Sequence, residues 1–154
     1  MGDTEKEYEK LAKKYKLPGF KELNSEFEIS DIENHDLLLK GILRKIGEKL
    51  EFYNGILSEV LQPDASSLSA MHETRFFNDA EKGSMYSLFK DMMGHYREII
   101  MLMLKNDEKE QALFLGRFFA EWQGIKKQLA DIIGKMKDSW ESEITREEEL
   151  GYFG

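Results

Sequence analysis

The sequence predicts an all-α protein: an antiparallel bundle of three long helices with a short N-terminal helix and a lid segment. Three observations lead there. Apolar residues recur in alternating steps of four and three along three long segments. The two prolines, Pro18 and Pro63, fall where those patterns stop. No stretch carries the apolar–polar alternation of a strand.

Taken in order, Thr4 with Glu7 forms a capping pair ahead of Tyr8, Leu11 and Tyr15, which predicts a short helix near 4–16. The basic run Lys10 to Lys16 reads as one solvated face of that helix. Residues 17–29, with Leu17, Phe20, Leu23, Phe27 and Ile29, are expected to act as a lid. The lid should cover an end of the bundle that is apolar almost all round, formed by Ile100, Leu102, Leu104, Leu113 and Phe114.

Ser30 with Glu33 marks a helix near 31–61, whose seam runs through Leu39, Leu43, Ile46, Leu50, Tyr53, Leu57 and Val60. Residues 62–78 form a connector too long for a structureless link, so a turn of helix is expected around Ser67 to Glu73, with Leu68, Met71 and Phe76 packing. Read as an extended segment, it should bury Phe76 more than Phe77. Asn78 with Glu81 opens a helix near 79–104, with its seam on Met85, Phe89, Met92, Tyr96, Ile99 and Met103. Asp107 with Glu110 opens the last, near 107–140, with its seam on Leu115, Phe118, Trp122, Ile125, Leu129, Ile132 and Met136. The three residues Lys105 to Asp107 between these two helices allow only an antiparallel hairpin. Thr145, Glu148 and Gly151 frame one more helical turn in the tail. The expected organisation is one domain: an N-terminal helix and lid over 1–30, and a bundle over 31–154 with connector 62–78 and an acidic C-terminal tail. Glycines inside the long helices sit off the seams and read as neutral surface positions.

Composition narrows the function classes. A chain of 154 residues supports a real core. With no cysteine there is no disulfide framework, thiolate metal site or cysteine nucleophile. A formal charge of −8 opposes non-specific binding to nucleic acid, whose affinity comes from neutralised phosphates. The longest wholly apolar run, Ile99 to Leu104, is far short of a membrane span, and the first ten residues are charged with no signal-peptide run. The expectation is a cytoplasmic, acidic protein with no cofactor, no membrane and no nucleic-acid partner, leaving a protein partner or a homo-oligomer.

Two groups of side chains are candidate sites. The connector and the tail share one end of the bundle, which collects His72, Arg75, Phe76, Phe77, Trp140, Tyr152 and Phe153 beside Glu147, Glu148 and Glu149. Aromatic residues and arginine are the types enriched among interface hot spots. Ser66, Ser67 and Ser69 lie near His72 and Glu73, but no strand–turn–helix elbow frames them, so they read as caps and turn formers. The second group is Asp91, His95 and Glu98, spaced along one stripe of a helix as a single metal contact set. No Glu-x-x-His pair accompanies it. Five methionines crowd residues 85–103, and Met101 alone falls away from the seam. The functional expectation is a non-enzymatic interaction module working by protein contacts or self-association; the alternative is a metal- or small-ligand-binding bundle, enzymatic or not.

Overall fold

A computed structural model describes residues 2–142. Helices α1 (Asp3–Tyr15) and α2 (Phe20–Phe27) lead through 3-10 turns at Ile29–Asp31 and His35–Leu37 into α3 (Leu38–Leu61). Then follow α4 (Leu68–Thr74), α5 (Asp79–Leu104) and α6 (Glu108–Ser139). The fold is all-α, with no strand among the described residues, and α3, α5 and α6 are its three long helices. No described helix is long and apolar enough to cross a membrane.

Helix starts follow local hydrogen bonding. At α5 the box is reciprocal: the Glu81 N–H donates to Asn78 Oδ1 at 2.8 Å, and the Asn78 N–H to Glu81 Oε1 at 2.9 Å. At α6 the Glu110 N–H donates to Asp107 Oδ1 at 3.1 Å, while the Glu110 carboxylate turns to Lys105 instead of reaching back. The other two capping pairs do not act as expected. Gly2, not Thr4, precedes α1, and the buried Thr4 hydroxyl donates to the Ile32 carbonyl at 3.0 Å. That contact holds Ile32 in extended backbone, so Ser30 and Glu33 do not open α3, which starts only at Leu38. Because the Thr4 proton goes to the carbonyl, His35 Nε2 donates to Thr4 Oγ1, 3.0 Å away.

Both α1 and α2 end on residues with left-handed backbone, Lys16 at φ 57° and Glu28 at φ 52°. Neither is glycine, so each carries a steric cost.

The described chain divides into two compact units, and α3, α5 and α6 contribute to both. The first comprises Met1–Phe52 and Met92–Gly124. There α3 runs antiparallel to α5: Lys40 donates to Asn106 Oδ1, Gly47 lies against Ile99, and Tyr96 donates to Glu51, so numbers rise on one helix as they fall on the other. Helix α6 runs antiparallel to α5 through the pairs His95–Glu121, Glu98–Arg117 and Lys105–Glu110. The lid exists, as an amphipathic helix with Phe20, Leu23 and Phe27 buried and Ile29 behind it. Phe27 packs on Phe118 and Trp122, with ring centroids 6.1 and 5.2 Å away. Trp122 donates to Glu26 at 2.7 Å, and Lys49 lies over both the Phe27 and Trp122 rings.

The lid does not cover everything assigned to it. Leu102 and Phe114 are buried, but Ile100 is 38 %, Leu104 79 % and Leu113 61 % exposed. Those three lie off the buried stripes of α5 and α6, and the lid packs farther along α6.

The second unit comprises Tyr53–Asp91 and Ile125–Gly154. Leu57, Val60, Ala70, Phe77, Met85, Leu88, Ile125, Leu129 and Met136 supply its buried apolar residues. Several seam positions differ from expectation. Asn54 is buried while Tyr53 is half-buried, and neither amide atom of Asn54 has a hydrogen-bond partner. On α5 the buried stripe is Met85, Leu88, Met92, Ile99 and Leu102, leaving Phe89, Tyr96 and Met103 half-buried. The helix shares the expected positions 85, 92 and 99 but turns its face toward 88 and 102.

Candidate interaction site

The end of the second unit is built on α4. The Ser67 hydroxyl accepts the Ala70 N–H at 3.2 Å and caps the helix, so the expected turn of helix is present. The chain stays turned beyond Thr74: the Phe76 N–H donates to the Glu73 carbonyl and the Phe77 N–H to the Thr74 carbonyl. Helical spacing therefore governs the side chains, with Ala70, Thr74 and Phe77 buried together on one face. Thr74 donates its hydroxyl to the Val60 carbonyl at 2.8 Å. Phe77 lies beneath Lys135, 5.3 Å from its ring centroid, and Lys135 pairs with Glu81 at 2.5 Å. This reverses the expected order of the two rings: Phe77 is buried and Phe76 half-buried, because a turned segment does not alternate its side chains as an extended one does. Leu68 is 59 % exposed and Met71 half-buried, so Leu68 is not part of the packing assigned to it.

His72 and Phe76, four residues apart, form the other face, with ring centroids 5.1 Å apart. His72 is buried, and its Nε2 lies 2.9 Å from the Ser139 carbonyl. A carbonyl only accepts, so Nε2 carries the proton. Trp140 stacks on the imidazole at 4.0 Å with 25° between planes, and its Nε1–H donates to Glu73 Oε2 at 3.0 Å. Trp140 nevertheless remains 54 % exposed. Arg75 is half-buried at the end of α4. Of the residues assigned to this end, His72, Phe76 and Trp140 form one continuous aromatic group, and Phe77 is separated beneath Lys135. Tyr152, Phe153, the carboxylates 147–149 and the helical turn at 145–151 lie outside the described residues.

The serines of the connector have structural uses. Ser66 donates both its N–H and its hydroxyl to Asp64 Oδ1, which holds that carboxyl below its usual range, the hydroxyl contributing most. Ser67 caps α4. The imidazole Nε2 of His72 is bound to a main-chain carbonyl.

The second candidate group lies on α5. Asp91 is exposed; His95 Nε2 lies 2.9 Å from Glu121 Oε2; Glu98 pairs with Arg117. The His95 ring packs edge-on against Phe118 at 5.3 Å and Phe114 at 6.2 Å, between α5 and α6. Among the described residues no group of three His, Asp or Glu is placed to hold a metal ion. A cleft of about 510 Å³ opens beside the start of α1 and the 3-10 turns, lined by Asp3, Glu5, Asp31, Glu33 and His35 above Phe20 and Ile32.

Met101, 53 % exposed, lies with Leu113 on the outer side of the α5–α6 hairpin. Two cross-helix ion pairs flank them, Glu98–Arg117 on one side and Lys105–Glu110 on the other. The sequence carries a signal for this arrangement. Residues 98–105 place Glu98, Met101 and Lys105 at the same spacing as Glu110, Leu113 and Arg117: glutamate, then an apolar residue three on, then a cation seven after the glutamate. No comparable signal announces the His72–Trp140 stack, whose members are 68 positions apart in the chain.

Comparison with protein-family models, curated proteins and solved structures returned no match to this chain.

Proposed function

We propose that this protein is a non-enzymatic interaction module that binds another protein through the end of its second unit, with Trp140 as the anchor. One observation carries the reading: an exposed tryptophan held from two sides, by the buried His72 ring and by Glu73. An aromatic side chain fixed in advance loses little conformational freedom on binding, and tryptophan is among the residues that dominate interface energetics. The polar groups around it support binding more than catalysis, since Ser66 is bound to Asp64, Ser67 caps α4 and His72 Nε2 is bound to a carbonyl. The proposal includes a cytoplasmic setting and no nucleic-acid partner, as a charge of −8 repels a phosphate backbone.

Crosslinking in native extract tests it, using the intact chain and Trp140→Ser. The expected result is a defined crosslinked species that disappears in the variant while its circular dichroism is unchanged. A folded Trp140→Ser protein that keeps every crosslinked species overturns the proposal.

A further inference from the structure

The outer face of the α5–α6 hairpin carries a charge pattern that fits itself. Its four corners are Glu98 on α5 and Lys105 just past its end, with Arg117 and Glu110 on α6. Seven residues separate the two corners on each arm of the hairpin, which along α6 is two helical turns or about 10.5 Å. Signs therefore alternate around the rectangle: negative, positive, negative, positive. All four side chains are roughly half exposed, at 42 % for Glu98, 54 % for Lys105, 55 % for Arg117 and 45 % for Glu110. Between the corners of each arm in sequence stand Met101, 53 % exposed, and Leu113, 61 % exposed.

We infer that this face pairs with the same face of a second copy of the chain. A two-fold axis lying in the face along the helices sets Glu98 against the partner's Arg117 and Lys105 against the partner's Glu110. A two-fold across the helices sets Glu98 against the partner's Lys105 and Arg117 against the partner's Glu110. Each operation brings every charge onto its opposite and Met101 and Leu113 onto apolar side chains. Self-complementarity of one patch is the requirement of an isologous dimer. A partner with a uniformly charged surface would meet two repulsive corners, so the alternation selects a second copy over an acidic or basic ligand. Matched charges at the rim add orientation, and the apolar centre supplies the burial.

The inference rests on reading the chain as an interaction module, but it uses the first unit and not Trp140. Sedimentation equilibrium of the full chain between about 5 and 500 µM, spanning the weak-dimer range, tests it alongside Met101→Glu/Leu113→Glu and Arg117→Glu. The expected result is a mass that climbs from monomer to dimer with concentration. Both variants should raise the dissociation constant, the first by about tenfold or more and the second by about three- to tenfold. Arg117→Glu changes only an exposed side chain, so it decides the matter if the double variant does not fold. A wild-type protein that stays monomeric throughout, or variants that dimerise as the wild type does, overturns the inference. Crosslinks that depend on Trp140 would stand in either case, so the two readings fail separately.

Discussion

At the scale of single residues, two side chains carry costs that substitution should relieve or reveal. Glu28 is exposed and held at φ 52°, a conformation that disfavours any residue with a Cβ. Glu28→Gly is therefore expected to raise unfolding free energy by about 1 kcal/mol in urea denaturation, and a loss of stability would show that the side chain matters more than the backbone. Asn54 is buried with its amide unpartnered. Asn54→Leu, nearly the same in shape, should stabilise by about 1–3 kcal/mol by removing an unmet polar group. A destabilised Asn54→Leu protein would mean that the amide specifies the packing around it. Tyr8 illustrates the opposite case: its buried hydroxyl donates to the Pro18 carbonyl at 2.6 Å, and burial above all, aided by Glu9 and Glu22, pushes its pKa up.

At the scale of elements, the long helices owe their positions to caps and apolar stripes, and these were legible in the sequence. The Asn78–Glu81 box and the seam of α6 from Leu115 to Met136 appear as the spacing predicts, apart from half-buried Ile132. The start of α3 was not legible, because Thr4 takes the Ile32 carbonyl from 28 residues away and a local capping rule holds no information about that. The order of Phe76 and Phe77 was missed for a related reason: one extra turn beyond α4 changes the period from two to nearly four. The site was legible as a place and not as a geometry. Trp140 and His72 could be assigned to one end, but their stacking depends on α6 ending at Ser139, where its carbonyl meets the imidazole. Helix glycines give the test at this scale. A methyl group at Gly55 or Gly124 would meet nothing within 4 Å, and neither has positive φ. Gly55→Ala and Gly124→Ala should each stabilise by about 0.5–1 kcal/mol through a better helical preference. Thermal melts of the two variants check this, and a fall in either would expose a close approach at that glycine.

For the molecule as a whole, the N-terminal segment is a structural part of the first unit. Tyr8, Phe20, Leu23, Phe27 and Ile29 are all buried. At about 1.5–3 kcal/mol each, burial of five such side chains rivals the net stability of a small domain, about 5–15 kcal/mol. A chain beginning at residue 30 should therefore aggregate or lose its cooperative melt, and unchanged melting would contradict the packing of α2. Acid should also weaken the fold. Asn78 and then Lys135 hold the Glu81 carboxyl below its ordinary 4.5, and Lys45 holds Asp31 below 3.8. With the folded values depressed, the folded state binds fewer protons than the unfolded one, so stability is fully present above pH 4.5 and lost as pH falls through the folded values. Glu81→Gln should flatten that part of the pH profile.

The second unit presents an exposed indole stacked on His72 and hydrogen-bonded to Glu73. The most direct measurement is the ¹⁵N relaxation of the Trp140 indole N–H, compared with the helix amides and with the buried Trp122. An indole held in this way should show an order parameter of about 0.8, near the rigid-backbone value, falling clearly in His72→Ala. An order parameter below about 0.6 in the wild-type protein, or one that His72→Ala leaves unchanged, would contradict it.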